Sequence, residues 1–227
     1  MTRSLDMKNL ERKERHLWKA FTLIELLVVI SIIGLLAALI VGLSGVAIKK
    51  ARIARVQSEL AQWEMLIENY KTKKGFYPPD NTTDPAVNPL FYELAGTIYT
   101  PPPPTPPYYQ TLNGEFKITT NAVGSCFRIG GFFNAAQDKQ EVVESYRSRK
   151  TSQYFEITTN GATIVVLGVP VDGAIQFADV RGKKFSPWQY VSSNPRNNPN
   201  SFDLWLDLLI GGKTNRICNW SKAPIVY

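Results

Sequence analysis

Phe21-Thr22-Leu23-Ile24-Glu25-Leu26-Leu27-Val28-Val29-Ile30-Ser31-Ile32-Ile33-Gly34 opens a stretch in which no charged residue occurs from Leu26 to Ile48. About 23 residues at 1.5 Å each give roughly 34 Å of helix, enough to cross a hydrocarbon core. The stretch 21–48 therefore predicts a membrane-spanning helix. The rival is a cleaved secretory signal ending near Ala47, but the apolar region of such a signal is only about 7–15 residues long. Basic residues before the run favour a cytoplasmic N-terminus, whereas Lys49, Lys50, Arg52 and Arg55 after it weaken the asymmetry, so charge alone leaves the orientation open.

Beyond Ile48 the pattern changes. Ile53, Val56, Leu60, Trp63, Ile67 and Tyr70 recur at spacings of three and four, which places them on one helical face. The helix is expected to continue amphipathically over 49–74, some fifty residues and roughly 80 Å in all when joined to the span. The stripe is shorter than three heptads, which favours packing on the chain's own sheet over a coiled coil. Lys71, Lys73 and Lys74 followed by Gly75 suit a helix C-terminus, and Pro78 and Pro79 forbid its continuation.

The remainder, 75–227, reads as an α+β globular region. Six prolines between Pro101 and Pro107 predict an exposed, extended loop over 100–107. It either connects rigidly or offers itself to an aromatic-lined groove. Short β-prone runs follow at Phe116–Thr119, Cys126–Ile129, Tyr154–Thr158, Thr163–Leu167 and Ala174–Phe177, separated by turn residues, and predict an antiparallel sheet. Gln137–Arg149 reads as an intervening helix with Val142, Val143 and Tyr146 as its apolar contacts.

The run Lys19-Ala20-Phe21-Thr22-Leu23-Ile24-Glu25-Leu26-Leu27 joins a basic leader to the span, and it resembles the processing site of type IV pilins and type II secretion pseudopilins. The resemblance implies that a prepilin peptidase removes residues 1–20 by cutting between Ala20 and Phe21, and that the new terminus is N-methylated. The family usually has glycine where this chain has Ala20, which is also small. Two starts fit the leader, Met1 and Met7. Glu68-Asn69-Tyr70-Lys71 through Gly75-Phe76-Tyr77-Pro78 is similar to the end of the long helix in the major pseudopilin of type II secretion. Ser201-Phe202-Asp203-Leu204-Trp205, Gly211-Gly212 and Cys218-Asn219-Trp220 resemble the end of that family. Similarity covers about the first third and the last tenth of the chain.

The resemblance implies a filament subunit, not an enzyme. It would be single-pass in the bacterial inner membrane with its C-terminal region in the periplasm, stored in membrane lipid until an assembly platform and its ATPase extract it among other pilin-like subunits. An ionised carboxylate inside a membrane helix costs about 2.5–3.5 kcal/mol at mid-bilayer. In the family, the glutamate equivalent to Glu25 meets the N-terminal amine of a neighbouring subunit, which would be Phe21 after cleavage. Reach to interfacial water is the alternative for Glu25. Related terminal loops often hold calcium with carboxylates, but Lys213-Thr214-Asn215-Arg216-Ile217-Cys218-Asn219 supplies none and adds two cations. No metal is expected. Asp203 and Asp207 remain as acids on one strand face, where they equally suit a solvated edge.

The formal charge of +7 raises nucleic acid as a partner. The cations cluster around the apolar run, with six against three carboxylates before it, and no aromatic-interleaved stripe follows, which argues against that partner. Cys126 and Cys218 are the only cysteines. In an oxidising compartment one bridge between them would be worth on the order of 4 kcal/mol; two buried thiols are the equal alternative. His16, the only histidine, falls in the leader, so the processed chain has no Ser-His-Asp triad and no histidine metal cluster. Gly212-Lys213-Thr214 matches the end of a phosphate-binding loop, but Asp207 stands where the earlier glycine belongs. No cofactor is implied. Three readings follow: a pseudopilin-like subunit; a type IV pilin or minor pilin for adhesion, motility or DNA uptake; and a membrane-tethered periplasmic enzyme or binding protein.

Overall fold

The computed structural model describes residues 21–103, 106–146 and 150–227, with side chains at 39–44 and 46 outside the description. The chain divides into two compact units, Met1–Ala47 and Ile48–Tyr227. Helix α1, Leu23–Lys74, runs for 52 residues and carries one pattern in each unit. In the first, Leu23, Ile24, Leu26, Leu27, Val28, Val29, Ile30, Ile32, Ile33, Leu35 and Leu36 are all exposed, on every side of the helix. Among the described residues no helical stretch is long and apolar enough to cross a membrane. The charge-free run continues in the sequence through 39–44 and 46, so the reading of 21–48 as a span falls partly outside the described side chains.

In the second unit α1 becomes one-sided. Val56, Leu60, Trp63, Ile67 and Tyr70 are buried in the core, and Ile53 packs against its edge, while Met65 on another face is exposed. The helix closes at Gly75, which has φ +86° and donates its N–H to the Lys71 carbonyl at 2.7 Å. A residue without a Cβ takes that left-handed conformation at no steric cost.

The segment after α1 is a strap held by buried polar side chains. Asp80 Oδ2 accepts from the Ser192 and Ser193 N–H groups, and Asn81 Nδ2 donates to the Val87 and Cys126 carbonyls. Asn88 Nδ2 donates to Pro85 and Trp188. Each bond satisfies a polar group that would otherwise be costly to bury. A short helix α2, Leu90–Ala95, follows with all six residues buried.

Strands β1 (Thr97–Thr100), β2 (Tyr108–Thr111) and β3 (Lys117–Thr119) pair antiparallel, and β4 (Ala135–Ala136) adds a short parallel pairing to β1. Thr100 sits opposite Tyr108, so the proline run is the loop of the β1–β2 hairpin. A second sheet combines β5 (Tyr154–Thr159), β6 (Ala162–Val169), β7 (Phe177–Ala178) and β8 (Lys184–Pro187) in the order β5-β6-β8-β7. Asn160 and Gly161, both at positive φ, turn the β5–β6 hairpin as its two-residue loop demands. The third sheet, order β12-β11-β10-β9, contains β9 (Gln189–Val191), β10 (Asp203–Ile210), β11 (Lys213–Cys218) and β12 (Ile225–Val226).

Three sequence expectations are corrected. Cys126–Ile129 is not a strand: Cys126 and Phe127 end helix α3, Thr120–Phe127, because the Thr119 hydroxyl accepts from the Ala122 N–H and caps a helix start. Of Ala174–Phe177, only Phe177 belongs to a strand; Ala174 instead donates its N–H to the Asp207 carbonyl. Gln137–Arg149 forms a single 3-10 turn at Lys139–Glu141, with 147–149 outside the described residues. Its backbone finds distant partners instead. Val143 exchanges two hydrogen bonds with the Asn134 side chain, and the Ser145 and Tyr146 N–H groups donate to the Leu94 carbonyl. Tyr146 is buried as expected, edge-on to Trp63 at 5.0 Å between centroids.

Glu93 is the least expected buried group. Its carboxylate accepts from Phe133 N–H (2.8 Å), Asn134 N–H (2.9 Å) and the Tyr70 hydroxyl (2.9 Å), which ties α1 and α2 to the segment before β4. Burial pushes its pKa from 4.5 up to about 7, partly offset by these donors and by Lys74. The folded state therefore holds the Glu93 proton more tightly than the unfolded chain. Its stabilising contribution is complete below about pH 4.5 and is lost as pH rises through about 7. The thermal midpoint should fall between pH 4.5 and 7.5, and Glu93→Gln should flatten that part of the profile; an equally steep fall in the variant would assign the effect elsewhere. Independently, Trp63→Ala should cost about 3–5 kcal/mol in denaturant unfolding followed by circular dichroism, because it empties the centre of the stripe.

Candidate functional site

The N-terminal end of α1 gathers the residues singled out for processing and assembly. Thr22 is the residue before the first helical turn. Its N–H and its hydroxyl both donate to Glu25 Oε2, at 2.9 and 2.8 Å, while Glu25 N–H donates back to Thr22 Oγ1 at 3.2 Å. This reciprocal pair is a capping box, which satisfies two of the N–H groups that a helix start leaves orphaned. The carboxylate also stands at the positive end of the helix dipole. Glu25 is thus held locally, and its carboxylate is placed within one residue of Phe21 along the chain. Phe21 is 80% exposed. Ala20 and the remainder of 1–20 lie outside the described residues.

A helix that is apolar all round is stable in water only when something covers it. The single hydroxyl among residues 23–36 is internally satisfied, since Ser31 Oγ donates to the Leu27 carbonyl at 2.8 Å. Glu25, Thr22 and the Phe21 backbone are therefore the polar features of an otherwise apolar rod end.

Residues 19–41 match the model of the prokaryotic N-terminal methylation motif. No curated protein and no solved structure matches the chain. The motif supports a pilin-like subunit of a type IV pilus or pseudopilus, which implies processing by a prepilin peptidase, a membrane-anchored N-terminus in a bacterium and assembly with other pilins. It agrees with a structural rather than catalytic role.

In the second unit, residues 68–78, 201–205 and 218–220 meet one another. The Tyr77 hydroxyl donates to Glu68 Oε1, accepts from Lys71 Nζ and lies 3.2 Å from the Ser201 hydroxyl, while its ring packs edge-on against Phe202. Asn219 then joins the last stretch to the middle one: its Oδ1 accepts from Leu204 N–H and its Nδ2 donates to the Phe202 carbonyl.

The two acids of β10 are not solvated edges. Asp203 is buried and accepts from the Arg196, Asn197 and Asn198 N–H groups, fixing the loop before its strand. Asp207 is gripped by Arg216 in two parallel hydrogen bonds of 2.7 and 2.8 Å, and the guanidinium also lies over the rings of Trp205 and Tyr227. Among the described residues no group of three histidine, cysteine or acidic side chains could hold a metal ion. Cys126 and Cys218 are both free and buried. The Cys126 thiol faces the Thr159 carbonyl, and burial pushes the Cys218 thiol above its ordinary range.

The capping box is written in the sequence as Thr22-x-x-Glu25. Removing its hydroxyl by Thr22→Ala should cost about 1 kcal/mol at the helix start. The expected readout is faster amide hydrogen exchange confined to about the first turn of α1; unchanged exchange at Glu25 would show that the box contributes nothing.

Proposed function

We propose that this chain is a pseudopilin-like subunit of a type II secretion system or a closely related filament. In this reading the prepilin peptidase cuts between Ala20 and Phe21, and the new Phe21 amine is methylated. Residues 21–48 hold the subunit in the inner membrane, and 75–227 fold in the periplasm. The observation that carries the reading is the methylation-motif match over 19–41, lying on a helix end that is apolar on every side. The preference for a pseudopilin over a true pilus subunit rests on the resemblance of Glu68-Asn69-Tyr70-Lys71 through Gly75-Phe76-Tyr77-Pro78 to the end of the major pseudopilin's long helix.

Glu25 then has two successive partners. In the isolated subunit the Thr22 box satisfies it; in the filament it meets the Phe21 amine of a neighbour, an encounter available only in the correct register. An assembly platform and its ATPase would draw the subunit from lipid, after which apolar helices cover one another. Glu25→Ala should lower filament incorporation at least several-fold while leaving the unfolding profile of the second unit unchanged; normal incorporation would remove the pairing role. Intact-mass and N-terminal peptide analysis of the chain from its native membrane tests the central claim. A methylated terminus at Phe21 is expected, and either an intact leader or cleavage near Ala47 would overturn it.

A further inference from the structure

Five cations from three separate stretches of the chain gather around the start of α1 in the second unit. Lys49, Lys50 and Arg52 are exposed on the first turn of the helix there. Gly211, in the β10–β11 turn, lies beside Lys49, since a Cβ on it would stand 3.6 Å from the Lys49 ammonium. The same turn exposes Lys213, opposite Ile210. On another side, Arg52 and Lys184 line one cavity of about 140 Å³ with Pro170, Val171 and Asp172.

One carboxylate offsets part of this charge: Asp172 shares the cavity with Arg52 and Lys184 and accepts from Gln176 at 3.4 Å, which leaves the cations in excess. Glu59 is about two turns beyond Arg52 along α1 and is bonded to Arg55 at 3.3 Å, and Asp207 is taken by Arg216. Like charges brought together from distant parts of a fold repel one another unless an external anion neutralises them. In the sequence, Ile48 closes the charge-free run and Lys49 begins the cations.

We propose that Lys49, Lys50, Arg52, Lys184 and Lys213 form a seat for the phosphate headgroups of anionic phospholipid. The inference rests on the reading that the run before Lys49 lies in a bilayer, because that places headgroups next to the first of these cations by covalent continuity alone. Lysines serve as point charges for phosphate, and Arg52 adds a forked donor. Attraction of this kind to an anionic membrane surface acts within a Debye length and weakens with salt.

The test uses the full chain, captured from detergent micelles containing equal amounts of phosphatidylcholine and phosphatidylglycerol, with co-purifying lipids quantified by mass spectrometry. Phosphatidylglycerol should be enriched about three-fold or more at 50 mM NaCl and return close to the input ratio at 500 mM. Lys184→Glu with Lys213→Glu, both exposed and remote in sequence from the apolar run, should abolish the enrichment without moving the thermal midpoint. Lipids recovered in the input ratio at low salt would overturn the inference, as would full enrichment in the double variant. Carbonate extraction of native membranes separates this from the underlying reading. A carbonate-resistant chain without enrichment defeats only the lipid seat, whereas a carbonate-released chain defeats the span itself.

Discussion

Everything in this molecule depends on one backbone rod that must satisfy two burial demands in succession. A helix repeats its hydrogen bonds without regard to surroundings, so α1 can run unbroken for 52 residues while its side chains change from apolar all round to apolar on one face. Where the pattern is one-sided, Val56, Trp63, Ile67 and Tyr70 have no exposed surface at all. The strap, α2 and three small sheets close over that stripe. Burial of large side chains is the main term opposing the entropy of ordering so many short strands.

What the sequence discloses follows from how local each cause is. The stripe was legible because spacings of three and four are a property of neighbours on a helix. Its end was legible because Gly75 and the following prolines act on their own backbone. The Asn160-Gly161 turn of the β5–β6 hairpin is local in the same sense. By contrast, Cys126–Ile129 has the side chains of a strand, and a single hydroxyl at Thr119 redirects the chain into α3. Residues 137–149 carry a helical pattern, yet Asn134 and Leu94 offer their backbone partners that no local window contains.

The buried acids show the same limit more sharply. Within Leu90-Phe91-Tyr92-Glu93 nothing distinguishes Glu93 from a surface residue. Its burial depends on donors from Phe133 and Asn134, some forty positions away, and on Tyr70 across the core. Asp203 likewise looked like the outward member of an alternating strand, but the loop at 196–198 folds its N–H groups onto it. The functional end of the chain was more legible than the globular unit, because Thr22 and Glu25 act on one another within one turn. The thiols were undecidable from spacing, since separation along the chain says nothing about separation in space.

Between β1 and β2 the described residues include Pro101, Pro102, Pro103, Pro106 and Pro107, and proline has no N–H to donate. That hairpin tip cannot be lengthened by another chain laying a strand against it, which is the commonest route by which exposed sheet edges stick together. For the filament subunit proposed above, such a tip is a form of discrimination. It refuses one indiscriminate mode of association and leaves growth to the surfaces that fix subunit order.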